Sequence, residues 1–337
     1  MTTTTSVCRL LGCTYPILQA GTASAARAEL VAAVGNAGGF GFLGGGGLGA
    51  DGTRRRIAAT RALTARPFGV NLLLPKLREG QIEVCLEQRP RCVSFFWGDP
   101  APYVSALHDA GVLVTAQVGS VDEACRVVEA GVDFVIAQGF EAGGHVRGTV
   151  STFALIPRVV DAIAPVPVVA AGGIADARGI VAALALGAQA AMLGTRFVAT
   201  VEAVCHPEYK QRLVAARESD TVWTKLFDGG WPDAEHRVLR NRQVEEWEAA
   251  GAPAPGRRPG EGDTIGQCTD DQPHQPVARY SSWLPRADFD GDLDYAALYA
   301  GESCGLVNAI RPAGEVVAEL ARETQALLRE LGNAATA

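Results

Sequence analysis

The sequence lacks several things, and each shortage removes a class of function. Positive charge is not in excess: 30 Lys and Arg against 37 Asp and Glu leave a formal charge of −7 and a pI near 5.4. The phosphate attraction on which nucleic-acid binders depend is therefore missing overall, and no nucleic-acid partner is expected. The eight cysteines (Cys8, Cys13, Cys85, Cys92, Cys125, Cys205, Cys268 and Cys304) contain no CxxC pair and are too sparse for a disulfide framework. They fit reduced thiols in a cytoplasmic protein, with no metal centre. No apolar run approaches the roughly 20 residues that a bilayer demands. Met1 to Val7 is a threonine run without the basic start and apolar core of a signal peptide. Neither a membrane nor an export role is expected.

What the chain has is core material and glycine. Of its 337 residues, 48% are hydrophobic, ample for a large buried core, and 39 are glycine without a collagen period. Short apolar runs alternate with helical-period segments. The strand candidates are Tyr15 to Ala20, Phe40 to Leu43, Phe68 to Leu72, Cys92 to Phe96, Leu113 to Gln117, Phe134 to Gln138, Pro167 to Ala171 and Ala190 to Leu193. Helical segments fall between them, over Ala26 to Asn36, Arg54 to Leu63, Leu77 to Gln88, Pro102 to Ala110, Val121 to Ala130, Phe153 to Ile163 and Ala175 to Leu186. Strands that are apolar throughout belong in a parallel sheet covered by helices, and eight such units make an α/β fold of the (β/α)8 TIM-barrel type. An open doubly wound sheet is the competing arrangement.

The alternation stops between residues 203 and 294, a stretch that holds Trp223, Trp231, Trp247 and Trp283. It reads as an inserted lid or subdomain, mostly irregular or helical. Its aromatics would pack on the barrel or on a second subunit of a homodimer. Residues 1–202 and 295–337 form the barrel and its closing helices, ending in an amphipathic helix over Pro312 to Leu331.

Two motifs are decoys. Gly39 to Gly44 matches GxGxxG, but the run is itself a strand, and no acid from Gly52 to Arg78 stands where a ribose would be held. Gly301 to Gly305 matches the GxSxG elbow, but it follows a helical segment and no histidine comes after it. Arg54, Arg55 and Arg56 read as a solvated helix face. Cys205-His206 has no partner at ligand spacing.

Barrel chemistry sits at the carboxyl ends of strands. After the seventh candidate comes Gly172-Gly173, leading into a helix at Ala175; after the eighth comes Gly194-Thr195. Turns of this kind expose N–H groups, and Thr195 adds a hydroxyl, in the place where barrels bind phosphate. Glycines at 21, 143 and 144 leave room at the barrel mouth, while the amides of Asn71, Gln117 and Gln138 stand at strand ends. A flat heteroaromatic ring carrying a phosphate, as in flavin mononucleotide (FMN), has both parts. His145 follows Ala142, Gly143 and Gly144, and an imidazole there can move a proton beside such a ring. His108, His206, His236 and His274 lack that setting.

The motifs Tyr15-Pro16-Ile17-Leu18-Gln19-Ala20-Gly21, Asn36 to Gly41, Pro67 to Leu72, Glu141 to His145, Ala171 to Ile174, Leu193 to Phe197, Asp228 to Ala234 and Tyr299 to Gly301 together resemble the nitronate monooxygenase family, formerly called 2-nitropropane dioxygenases. The resemblance covers nearly the whole chain. It implies an FMN-binding barrel that oxidises alkyl nitronates or nitroalkanes with O2 to a carbonyl compound and nitrite, with His145 as base. It also implies that Ala20, Gly21, Thr22, Asn71 and Gln138 surround the ring and ribityl chain, and that Gly172, Gly173, Gly194 and Thr195 hold the phosphate. The alternative is an FMN-dependent NAD(P)H enoyl-thioester or quinone reductase on the same barrel. The chain departs from many members in three places: Val146 intervenes between His145 and Arg147-Gly148, Gln117 replaces a lysine, and Glu302 replaces a glutamine. The last would bring a negative charge towards the flavin edge.

Overall fold

A computed structural model describes residues 4–268 and 275–334 of the chain. Helix α1 (Ser6–Leu11), capped by the Thr5 hydroxyl accepting from the Cys8 N–H, precedes the barrel. It was not legible in the threonine-rich start. The first units are β1 (Ile17–Gln19), α2 (Ala28–Asn36), β2 (Phe40–Gly44), α3 (Ala50–Leu63), β3 (Gly69–Leu73) and α4 (Gln81–Gln88). Next come β4 (Cys92–Phe96), α5 (Ala101–Asp109), β5 (Leu113–Val118), α6 (Val121–Glu129) and β6 (Phe134–Gln138). After a two-residue strand β7 (Gly144–His145), the barrel resumes with α7 (Thr152–Ile163), β8 (Val168–Ala171), α8 (Ala177–Ala185) and β9 (Ala190–Leu193).

The eight long strands close in the order β1-β2-β3-β4-β5-β6-β8-β9, all parallel, and Leu18 pairs with both Phe40 and Met192 where the last strand meets the first. The barrel is thus closed, as the repeated apolar runs imply. Their alternation explains the need for apolar residues on both faces. Leu18, Phe40, Phe42, Phe134, Ile136, Val169 and Met192 fill the interior together with Val7 and Leu11, so α1 plugs the amino-terminal end. Ile17, Leu43, Val70, Val93, Phe95 and Val114 point outward into the layer under the helices.

Several helix starts differ from the periodicity. The segment expected from Leu77 begins at Gln81, because a 3-10 turn at Leu74–Lys76 and Gly80 in the left-handed region (φ 78°) come first. The helix expected at Ala175 begins at Ala177, and the Asp176 carboxylate caps it by accepting from the Gly179 N–H at 3.1 Å. That carboxylate answers one N–H of the helix end.

The stretch after β9 is more regular than expected. It carries α9 (Thr195–Val198), α10 (Pro207–Ala215), β10 (Thr221–Thr224), β11 (His236–Leu239), α11 (Arg242–Ala249), β12 (Thr264–Cys268), β13 (Gln275–Ala278) and β14 (Asp290–Gly291). The strands make two small antiparallel sheets, in the orders β10-β11-β7 and β13-β12-β14. Most of the described residues from 203 to 294 are nevertheless irregular or helical, as expected, and the strands are a minority among them. Residues 295–312 contain only short 3-10 turns, not the helical pattern expected from Tyr295, before α12 (Ala313–Ala334) packs against α2 and α8. No helix among the described residues is long and apolar enough to cross a membrane.

The interior should be sensitive to lost volume. Phe134 is fully buried among large side chains. Phe134→Ala should cost about 3–5 kcal/mol of stability in equilibrium denaturation, and a loss under about 1 kcal/mol would contradict the described packing.

Candidate active site

One cavity of about 1300 Å³ opens at the carboxyl ends of the barrel strands, and every residue singled out from the sequence lies on its wall: His145, Ala20, Gly21, Thr22, Asn71, Gln117, Gln138, Gly143, Gly144, Gly172, Gly173, Gly194 and Thr195. It exceeds the ~300–1,000 Å³ typical of small-molecule sites. There is space for a second ligand beside a cofactor.

His145 is placed by the small sheet. β7 pairs antiparallel with β11, setting His145 opposite His236 and Gly144 opposite Arg237. The inserted Val146 extends this pairing, its N–H donating to the Glu235 carbonyl at 2.9 Å, and its side chain is buried. From the barrel side, the Gln138 amide donates to the His145 carbonyl (3.0 Å) and accepts from the Arg147 N–H (3.3 Å). Gln138 therefore positions the loop, a role the resemblance did not assign.

Aromatic rings enclose the imidazole. Trp231 stacks on it at 4.1 Å between centroids, Tyr299 and His236 lie at 5.5 Å, and Trp97 meets it edge-on at 6.1 Å. Trp97 sits in the left-handed region (φ 65°), a strained choice for a bulky residue. Neither ring nitrogen of His145 has a hydrogen-bond partner among the described residues, and Nε2 is fully enclosed. Burial holds its pKa well below the ordinary value, with the neighbouring His236 and Lys76 pushing the same way. The ring is neutral, with an unengaged lone pair.

His236, which the sequence does not single out, stands against His145. It is fully buried, its Nδ1 lies 2.9 Å from the Ala234 carbonyl, and its Nε2 accepts from the Phe227 N–H at 3.2 Å. Those partners require the neutral tautomer with the proton on Nδ1. Burial moves its pKa down to about 4. Of the remaining histidines, His108 pairs with Asp133, His206 caps α10, and His274 lies outside the described residues.

Other expectations are revised by the geometry. Gly21 is required because a Cβ would collide with Asn71, and Gly143 because it would collide with the backbone of Ala300 and Gly301. These two glycines make room for protein; Gly144 (φ 75°) faces open space. Glu302 forms a 3.0 Å ion pair with the buried Arg237, which also donates to the Phe140 carbonyl. Its charge is answered within the protein. Arg55, which is exposed, and Arg54, paired with Asp51 and Glu87, fit a solvated face, whereas Arg56 turns inward and donates to the Gly44 carbonyl at 2.8 Å. The GxSxG look-alike follows an extended bridge at Tyr299 and forms a 3-10 turn.

The family model for nitronate monooxygenase matches residues 4–82 and 77–323. The chain belongs to the nitronate monooxygenase family. It is 34% identical to a nitronate monooxygenase of Paraburkholderia phytofirmans over 96% of this chain and 95% of that one. Among solved structures, FabK from Thermotoga maritima superposes with a TM-score of 0.84 at 35% identity, covering 98% of both chains. A nitroalkane oxidase from Streptomyces ansochromogenes superposes at 0.78 and 29% identity, covering 96% of this chain and 99% of that one.

Nitronate monooxygenases and these neighbours are flavin-dependent enzymes, and the residues fit a flavin. Gly172 and Gly173 hold left-handed conformations (φ 104° and 68°) that turn the chain at the end of β8. The N–H groups of Gly173 and Thr195 donate to no acceptor among the described residues. The buried Thr22 hydroxyl is likewise without a partner. The Thr195 hydroxyl accepts from the Gly301 N–H at 2.9 Å, which leaves its own proton available to an anion.

The buried histidines set a pH dependence. Unfolded, His236 takes a proton near pH 6.5; folded, it stays neutral to about pH 4. Between these values the unfolded state binds more protons, so stability falls as pH falls, by up to about 3 kcal/mol. In denaturation at pH 7.5 and pH 5, the stability advantage of the natural protein over His236→Gln should shrink by about 2 kcal/mol at the lower pH. A constant difference would contradict the buried neutral ring.

Proposed function

We propose that the protein oxidises alkyl nitronates with molecular oxygen to a carbonyl compound and nitrite, using FMN as its flavin and His145 as base. The observation that supports this reading best is the neutral, unpartnered imidazole on the wall of the same cavity as the β8 and β9 turns. A phosphate at Gly172, Gly173, Gly194 and Thr195 would leave the rest of the cofactor across the barrel mouth. When bound, FMN would supply the electron transfer between substrate and oxygen. The chain's own residues supply the rest. Trp231, Trp97 and Tyr299 exclude water from the imidazole, which strengthens nearby electrostatics. Gln138 and β11 hold the loop from both sides, so the base is preorganised.

A second reading is favoured by the likeness to FabK over the whole chain: reduction of an enoyl thioester or a quinone by NAD(P)H on the same flavin. The two are separated by assaying oxygen uptake and nitrite release with a nitronate, beside anaerobic flavin reduction by NADH and NADPH. Nitrite release without rapid nicotinamide oxidation supports the proposal, and the reverse pattern overturns it.

His145→Ala should retain FMN and lower turnover of a neutral nitroalkane by about 10²- to 10⁴-fold, the usual worth of a general base. Turnover of a preformed nitronate should suffer less, because its proton is already gone. Equal losses on both substrates would show that His145 positions and does not deprotonate.

A further inference from the structure

The chain has three lysines, and two are satisfied within the protein. Lys210 donates to the Thr200 carbonyl at 2.7 Å and Lys225 pairs with Glu235 at 3.1 Å. Lys76 is different. It ends the 3-10 turn after β3, lines the active-site cavity, and is partly buried. Its ammonium meets only the Ser282 hydroxyl at 3.4 Å and the face of Trp231, 4.8 Å from the ring centroid. Among the described residues no carboxylate lies within ion-pair distance of it, although the chain carries more acids than bases.

A lysine ammonium removed from water is costly unless something anionic answers it. Here burial lowers its pKa and the nearby Arg78 pushes the same way. The same indole that carries Lys76 on its face stacks on His145. One aromatic side chain therefore joins a neutral base and an uncompensated cation at one cavity wall. Ser282, Gly229 and Gly230 line the cavity beside them.

We propose that Lys76, steadied by the Ser282 hydroxyl, which gives its own proton to the Gly229 carbonyl at 2.8 Å, is an anion subsite that receives the negatively charged oxygens of the substrate. This inference rests on the proposed reading of the site and adds to it the substrate's charge state: a planar anion delocalised over two oxygens, the pattern a nitronate shares with a carboxylate. A neutral imidazole accepts the proton from carbon, and the ammonium stabilises the charge that appears on the oxygens as the C–H bond breaks. No electron leaves or enters in this step. For a preformed nitronate the same cation acts at binding.

The two substrates therefore respond differently to loss of the charge. In holoenzyme Lys76→Met, a preformed nitronate should show about a 10- to 100-fold rise in KM, the usual range for a hydrogen bond to a charged group. A neutral nitroalkane should lose chiefly in kcat, because its charge develops only in the transition state. Lys76→Arg should restore much of both. A second readout needs no turnover: butanoate, an unreactive planar anion, should quench the tryptophan fluorescence of the natural protein in a saturable way, weaken about 10-fold or more in Lys76→Met, and lose its signal in Trp231→Phe. Equal changes of KM and kcat on both substrates, or butanoate binding indifferent to Lys76→Met, would overturn the subsite. Absence of nitronate turnover in the natural protein would overturn the proposed reaction, and the butanoate titration would still decide the role of Lys76.

Discussion

The site depends on a ladder two residues long. Gly144 and His145 pair with Arg237 and His236, and this contact ties a barrel loop to a sheet built from residues far along the chain. Gln138, the Glu141 contacts with Thr152 and Glu302, and the Arg147–Glu123 ion pair fasten the rest of the loop after β6. With the ladder, the backbone direction of His145 is set from both sides. The stacking of Trp231, the approach of Tyr299 and the burial of the imidazole all follow from that placement.

The electrostatics follow from the same ladder. Pairing brings two imidazoles to 5.5 Å in a dry setting, where charging either would be opposed by desolvation and by the other. His236 is fixed as a neutral tautomer by its two backbone partners. Arg237, next on the strand, is buried and turns its charge to Glu302 and the Phe140 carbonyl, away from the cavity. The cation left facing the cavity wall beside His145 is Lys76. A neutral base beside a cation that no carboxylate answers among the described residues suits a substrate that becomes, or already is, an anion.

Much of the barrel was legible in the chain because its strands are buried on both faces and so are written as unbroken apolar runs. Cys92 to Phe96, Phe134 to Gln138 and Ala190 to Leu193 match their strands to the residue. The turns at Gly172-Gly173 and Gly194-Thr195 were equally readable, since local backbone requirements select local residues. What was hidden depends on contacts between distant segments. Nothing near His236 in sequence marks it, because its significance comes from lying opposite His145. Trp231 and Lys76 gain their roles only where the small sheet and the turn after β3 meet. The glycines at 21 and 143 were visible but their reason was not: each makes way for a neighbouring chain segment that sequence spacing does not reveal. Asp176 is another local signal, a capping residue at the start of α8.

The central claim is that the fold presents a neutral, unpartnered imidazole at residue 145. Nitrogen NMR of the protein labelled at histidine, with His145→Ala and His236→Gln used to assign the signals, tests it most directly. The His145 ring should show the shifts of a neutral imidazole well below pH 6.5 and should not titrate with an ordinary midpoint. A His145 signal that takes up a proton near or above pH 6.5 in the folded protein would contradict it.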